Sequence, residues 1–139
     1  MSETLFVDEW LRNTLTAISA VNTGVAGRMY PDQAPQGTLF PLVIYSLQST
    51  HDVVGQGTFR IMTRCSYQVK VIGQTRSYWD LIPIYRAIDD GLHGKGSDTG
   101  NAHIFSCMRW EEFRLAEFTE GKEYRHLGGL YDILVQRIT

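Results

Sequence analysis

Residues 59–71 alternate without a break, and no other feature so narrows what this chain can fold into. The odd positions read Phe59, Ile61, Thr63, Cys65, Tyr67, Val69 and Val71, with Arg60, Met62, Arg64, Ser66, Gln68 and Lys70 between them. Side chains of a strand point alternately to its two faces, so the pattern predicts one buried face and one that meets water or a partner. Ordinary strands run about five or six residues. This one is expected to project beyond the core of a small domain. With 139 residues, 43% of them hydrophobic and 20% charged, the chain reads as one globular domain, 1–139. Such a domain buries roughly 70% of the surface that its unfolded chain exposes.

Upstream, Val7, Trp10, Leu11, Leu15, Ile18 and Val21 recur at the spacing of one helix face. Ser2 or Thr4 is placed to cap that helix, and Asn22-Thr23-Gly24 to stop it. A proline arm follows, Arg28-Met29-Tyr30-Pro31-Asp32-Gln33-Ala34-Pro35, and runs through Gly37 to Pro41. Each proline fixes its own φ and pushes the residue before it toward extended geometry, so the arm is a stiff connector. The apolar run 42–48 predicts a strand, and 49–57 a polar, glycine-punctuated loop.

Beyond the long strand, Leu81, Ile82, Tyr85, Ile88 and Leu92 predict a second helix. With Asp80 as its N-cap, Pro83 falls in the first turn, where a missing N–H costs little, and Gly91 closes it; the alternative is a helix from Ser77 kinked at Pro83. Residues 94–101 read as a mobile loop, 103–113 and 124–138 as strands, and 114–120 as an extended link or short turn. Gly128-Gly129 marks a bulge or a close backbone approach. The order α-β-β-α-β-β predicts an α+β fold of two layers: a mainly antiparallel four-stranded sheet with two helices packed on one face.

The chemistry-bearing residues do not converge. Thirteen basic and fifteen acidic residues argue against a dedicated nucleic-acid binder. Two distant cysteines make no disulfide framework, the acidic start lacks a signal-peptide profile, and no run nears the roughly 18 apolar residues of a membrane span. These features imply a soluble protein made in a reducing cytoplasm. The loop at 94–101 has Asp89 where a P-loop needs its first glycine, and it follows a helix rather than a strand. His51, His93, His103 and His126 show no zinc-site spacing and read as exposed loop histidines. Cys65 reads as a core residue, and Cys107 has Arg109 on its side of the strand but no evident base. Glu111 and Glu112, adjacent on a strand, face opposite ways and cannot act on one bond. The expectation is no enzyme, no cofactor and no metal. Arg60, Arg64 and Lys70 line one side of the long strand, as a solvated face or as a surface for a neighbouring subunit or a polyanion.

The amphipathic first helix, the arm with Arg28, Tyr30, Pro31, Ala34, Pro35 and Gly37, the run Pro41-Leu42-Val43-Ile44-Tyr45, the long strand and the closing strand led by Tyr124-Arg125 follow in order. Together they resemble the tail terminator (tail completion) proteins of tailed bacteriophages and prophages. The resemblance implies a non-catalytic virion protein of the tail and neck, assembled in the host bacterial cytoplasm. Its partners would be itself in a homo-hexameric ring, the tail tube protein and the head-tail connector or stopper. Genomic DNA would pass through the lumen without sequence-specific binding, and no membrane is implied. On this reading His51, Asp52, Arg60, Arg64, Lys70, Glu111 and Glu112 form the subunit or partner interface. Two alternatives stand beside it: another neck protein of the stopper kind, and a small ligand-binding or enzymatic domain using the loop 92–102.

Overall fold

The computed structural model describes residues 3–57 and 60–138. Two expectations, Ser2 as a cap and Phe59 as the first residue of the long strand, lie outside the described residues. The elements are α1 (Glu3–Ala17), α2 (Ser19–Gly24), β1 (Met29–Pro31), β2 (Leu42–Val54), β3 (Arg60–Gly73), α3 (Ile82–Leu92), β4 (Lys95–Asp98), β5 (Ala102–Thr119) and β6 (Lys122–Arg137). They build a mixed, curled six-stranded sheet of order β1-β2-β3-β6-β5-β4 with three helices. The expected four-stranded antiparallel sheet with two helices is therefore corrected in strand number, in strand direction and in helix count.

The two extra strands come from segments that composition marks as irregular. Arg28 donates through Nε to the Pro41 carbonyl at 3.1 Å, and Arg12 donates to the Met29 carbonyl at 2.9 Å. These bonds hold the start of the arm against β2, where Met29, Tyr30 and Pro31 pair in parallel with Val43, Ile44 and Tyr45. β4 lies in the supposed loop 94–101 and pairs antiparallel with β5. Gly96 permits it, because a Cβ there would meet the carbonyl oxygens of Ile104 and Phe105 at 2.5 and 2.8 Å.

The other strands outrun their expected limits. β2 continues through 49–54, paired with β3 although nearly every side chain there is exposed. β5 continues through 114–119 and turns directly into β6, with Thr119 opposite Lys122. Glu120 and Gly121 carry φ of 52° and 75°, as a two-residue hairpin turn of the favoured twist requires.

The helices changed less. The chain breaks at Ile18, which is extended, and resumes as α2. Ile18 packs onto α3 at Gly91, where a Cβ would come within 2.2 Å of its Cδ1. Gly91 therefore sits inside α3 as a packing residue rather than ending it. Ser77, not Asp80, caps the entry: it accepts from the Trp79 N–H at 3.1 Å and starts a short 3₁₀ turn. Pro83 stands in the first turn of α3.

One core joins the layers. From α1 come Val7, Trp10, Leu11 and Leu15; from α3 come Tyr85, Ile88 and Leu92; from the sheet come Val43, Cys65, Tyr67, Val69, Val71, Tyr131, Ile133 and Val135. Full burial of a large apolar side chain is worth about 1.5–3 kcal/mol, so this shared layer holds the fold. The Tyr67 hydroxyl adds a tie from β3 to α1, lying 2.9 Å from the Thr4 carbonyl oxygen and bonded to Asp8. On the opposite, outer face, Leu42 and Ile44 are also buried, under the proline arm, whose Phe40 ring packs 5.1 Å from that of Tyr124.

Candidate functional site

The register decides which of the expected interface residues meet. Arg64 is exposed on the outer face with His51 of β2 directly opposite. Lys70 lies further along that face, opposite Ile44 and Gly128, half buried with its ammonium 5.8 Å from the centre of the Phe113 ring. Glu111, opposite Leu130, shares the face. Asp52 and Glu112 do not: they stand opposite Thr63 and Gly129 and point to the helix side.

Arg60 does not line up with Arg64 and Lys70 as its even number suggests. A register shift sets Val53 opposite Met62 but Val54 opposite Arg60, so Ile61 is an extra residue. Such a bulge reverses the facing of everything before it. Arg60 thus joins Asp52 on the helix side, with a guanidinium–carboxylate distance of 3.7 Å. Both groups are exposed, and the pair is worth little to stability.

Another bulge, between Arg109 and Glu111, leaves Trp110 unpaired and 58% exposed. From there to the turn, β5 and β6 form an arm that passes the end of β3, whose Gly73 pairs with Arg125. Leu115 and Phe118 are exposed on that arm, Phe118 at 70%. The sequence contained the signal for this: Arg109-Trp110-Glu111-Glu112-Phe113-Arg114 breaks strict alternation with an aromatic residue in a charged run.

Two grooves flank the arm. The outer one, about 370 Å³, is lined by Asp32, Phe40, Lys70, Glu117, Tyr124 and His126 among others. His126 is not an exposed loop histidine; it is buried, 3.2 Å from Glu117 through Nε2, while its Nδ1 has no partner among the described residues. Burial pushes its pKa below the ordinary imidazole value, against the pull of Glu117, and Lys70 pushes the same way. The unfolded chain takes up this proton near pH 6.5, before the folded protein does. The stability involved is present above that pH and lost as pH falls through it toward the depressed folded value. Thermal unfolding of the wild type is thus expected to fall more between about pH 7.5 and 5.5 than that of His126→Gln.

The inner groove, about 360 Å³, lies beside α3 and holds Tyr78, Tyr85, Asp89, Arg109, Glu112 and Arg114. Tyr131 donates to Asp89 at 2.8 Å, the Tyr85 and Tyr131 hydroxyls are 3.3 Å apart, and Arg109 donates to Tyr85 at 3.2 Å. Nothing in the spacing of Tyr85, Asp89, Arg109 and Tyr131 along the chain hints at this network. Burial raises the pKa of both tyrosines, so neither is a base near neutral pH. It fixes the bulged stretch of β5 against α3, with the Arg109 N–H donating to His93 Nδ1 at 2.9 Å.

Cys65 and Cys107 are buried thiols whose pKa is pushed up to about 12 by that burial, and Arg109 does not reverse this for Cys107. His103 bonds to Asp98 at 2.7 Å across the β4–β5 pair. Among the described residues no three His, Cys, Asp or Glu cluster as a metal site would require, and no helix is long and apolar enough to cross a membrane. In the segment 92–102, the supposed ligand site, residues 95–98 form β4, while Leu92 ends α3 and Ala102 starts β5.

No family model and no curated protein matches the sequence. Among solved structures, a chain in the virion of a native gene transfer agent particle is similar, with a TM-score of 0.66 over 90% of each chain. The identity is 16%, so the likeness is one of fold.

Proposed function

We propose that this protein is a structural subunit of a phage-like virion, and within it the tail terminator. Copies close head to tail into a hexameric ring on the last turn of the tail tube. The ring stops further polymerisation and offers its other face to the head-tail connector, with DNA passing through the lumen. The role is one of shape, without catalysis. The observation that carries the reading is the fold held in common, over 90% of both chains, with a virion chain. The proline arm and its neighbouring elements, which resemble tail terminators, make the reading narrower.

The surfaces suit such a role. The arm of β5 and β6 and the β2–β3 hairpin leave the core at opposite ends of the sheet, as the registers require. Both offer exposed side chains beyond the shared core, and such surfaces commonly mark contacts with other proteins. Closed head-to-tail contacts repeat around an axis and end when the rotation closes.

The experiment is electron microscopy and sizing of the purified protein, alone and with isolated tails lacking their terminal ring. Rings that cap those tails, and tails of uncontrolled length without the protein, are expected; turnover of a substrate or normal tails without it would refute the reading. Arg64→Glu is expected to weaken ring formation by about tenfold or more while leaving the unfolding midpoint within the small range usual for surface changes. Sedimentation across a concentration series, beside thermal melts, checks both.

A further inference from the structure

Both outer strands of the sheet cover their neighbours only in part. β4 pairs with β5 from Asp98 opposite His103 to Lys95 opposite Cys107, so among the described residues 108–119 has no strand on that side. β1 pairs with β2 only at Val43, Ile44 and Tyr45, so 46–54 is likewise open. Monomeric proteins blunt such edges with proline, lysine or short strands, because an open edge recruits another. Neither stretch contains a proline, a glycine or a lysine.

We propose that neighbouring copies join by extending the sheet: the open edge of β5, 108–119, pairs antiparallel with the open edge of β2, 46–54, of the next copy. This rests on the ring reading and adds the contact that makes the ring. The occupant is a second copy because one chain carries both edges, on opposite sides of one sheet, which is what a head-to-tail contact requires. Strand directions alternate along β2, β3, β6 and β5, so β5 runs against β2, and a repeated subunit lays the two edges antiparallel.

Charge selects the register. Antiparallel partners share a face. Asp52, Arg60, Glu112 and Arg114 all lie on the helix side, Arg114 opposite the inward Leu127. Setting Asp52 opposite Arg114 also sets Val54 opposite Glu112, and Arg60 is the residue beside Val54. Asp52 then faces Arg114 of the other copy directly, and Glu112 faces Val54 with Arg60 one strand beyond on the same face. On the outer face the same register sets His51 opposite Leu115.

The test uses two full-length variants, His51→Cys and Leu115→Cys, both at exposed positions. They are assembled separately and as an equal mixture, then treated with a short bismaleimide. The native thiols are buried and stay protonated, so they remain silent while the protein is folded, which thermal melts confirm for each variant. A cross-linked dimer from the mixture, and none from either variant alone, is the expected result. Rings in which the mixture does not cross-link overturn the edge pairing and leave the ring reading intact. Cross-linking of Leu115→Cys alone means that two β5 edges meet, which also overturns it. Neither rings nor cross-links at any concentration overturns both readings. Arg114→Asp is expected to weaken association at least tenfold, and adding Asp52→Arg to restore it.

Discussion

Gly128→Ala is expected to cost about 3 kcal/mol of stability, and Gly128→Val to prevent folding. The sequence left two readings of Gly128-Gly129, a bulge or a close backbone approach. The registers run unbroken through both residues in β3 and in β5, so there is no bulge. A Cβ on Gly128 would lie 2.4 Å from the Val69 carbonyl oxygen and 2.7 Å from the Lys70 Cα. Those are backbone atoms of the central strand, which cannot turn aside as a side chain can. The sheet would have to part between β3 and β6, losing ladder hydrogen bonds where it is most buried. Whole domains are stable by about 5–15 kcal/mol, so the loss is a large share of the total. Gly129→Ala makes a useful contrast. Its Cβ would meet the Tyr85 hydroxyl at 2.5 Å, Arg109 Cδ at 3.0 Å and, less closely, the Glu111 carbonyl oxygen at 3.1 Å, so its tightest clashes fall on side chains rather than on backbone. A cost of about 1–2 kcal/mol is expected there. Urea unfolding of the two variants, with unchanged slope and a lower midpoint for Gly128→Ala, checks the order. Equal midpoints would refute the account.

The contrast also marks what the sequence could and could not reveal. Alternation reports burial, and it was legible where one face is buried: Thr63, Cys65, Tyr67, Val69 and Val71 are inside, and Arg64 between them is exposed. It does not report pairing. At 49–54 and 114–119 both faces meet solvent, so strands held by their backbone ladders read as a loop and a link. β1 and β4 span three and four residues, too short for any period, and each depends on a tertiary contact. For β4 one such contact is the bond from Trp10 Nε1 to Ser97 Oγ at 2.9 Å.

Of the interface residues, His51, Asp52, Arg60 and Arg64 do gather on one hairpin, and Lys70 and Glu111 share the outer face with Arg64. Arg60 stands on the face opposite to the expected one because Ile61, which alternation marks as a core residue, is the extra residue of a bulge and 44% exposed. The turn at Glu120-Gly121 does carry a sequence signal: glycine at the second position of a two-residue connection, between two extended runs, is a hairpin mark. That signal alone is enough to expect the arm that carries Trp110 and Phe118.

That arm gives the largest expected effect on assembly. Phe118→Ser and Trp110→Ser are each expected to weaken association of copies or partners by about 2 kcal/mol, roughly 30-fold, and together to abolish it at micromolar concentration. The reasoning is one of exposure. Both rings stand mostly in water in the lone chain, so truncating them removes little that the fold buries, and stability should change by about 0.5 kcal/mol or less. A large aromatic surface recovers its hydration cost only when something covers it, and aromatic anchors at the centre of an interface dominate its energy. Trp110 is aimed outward by its bulge, and the Arg109–Tyr85 and Tyr131–Asp89 bonds hold that stretch of backbone in place. A fixed aromatic loses little freedom on binding and so returns more of its contact energy. Sedimentation and thermal melts on the same preparations separate the two quantities. Variants that melt like the wild type but stay as single chains fit the assembly role, whereas unchanged association in the double variant would remove the arm from it.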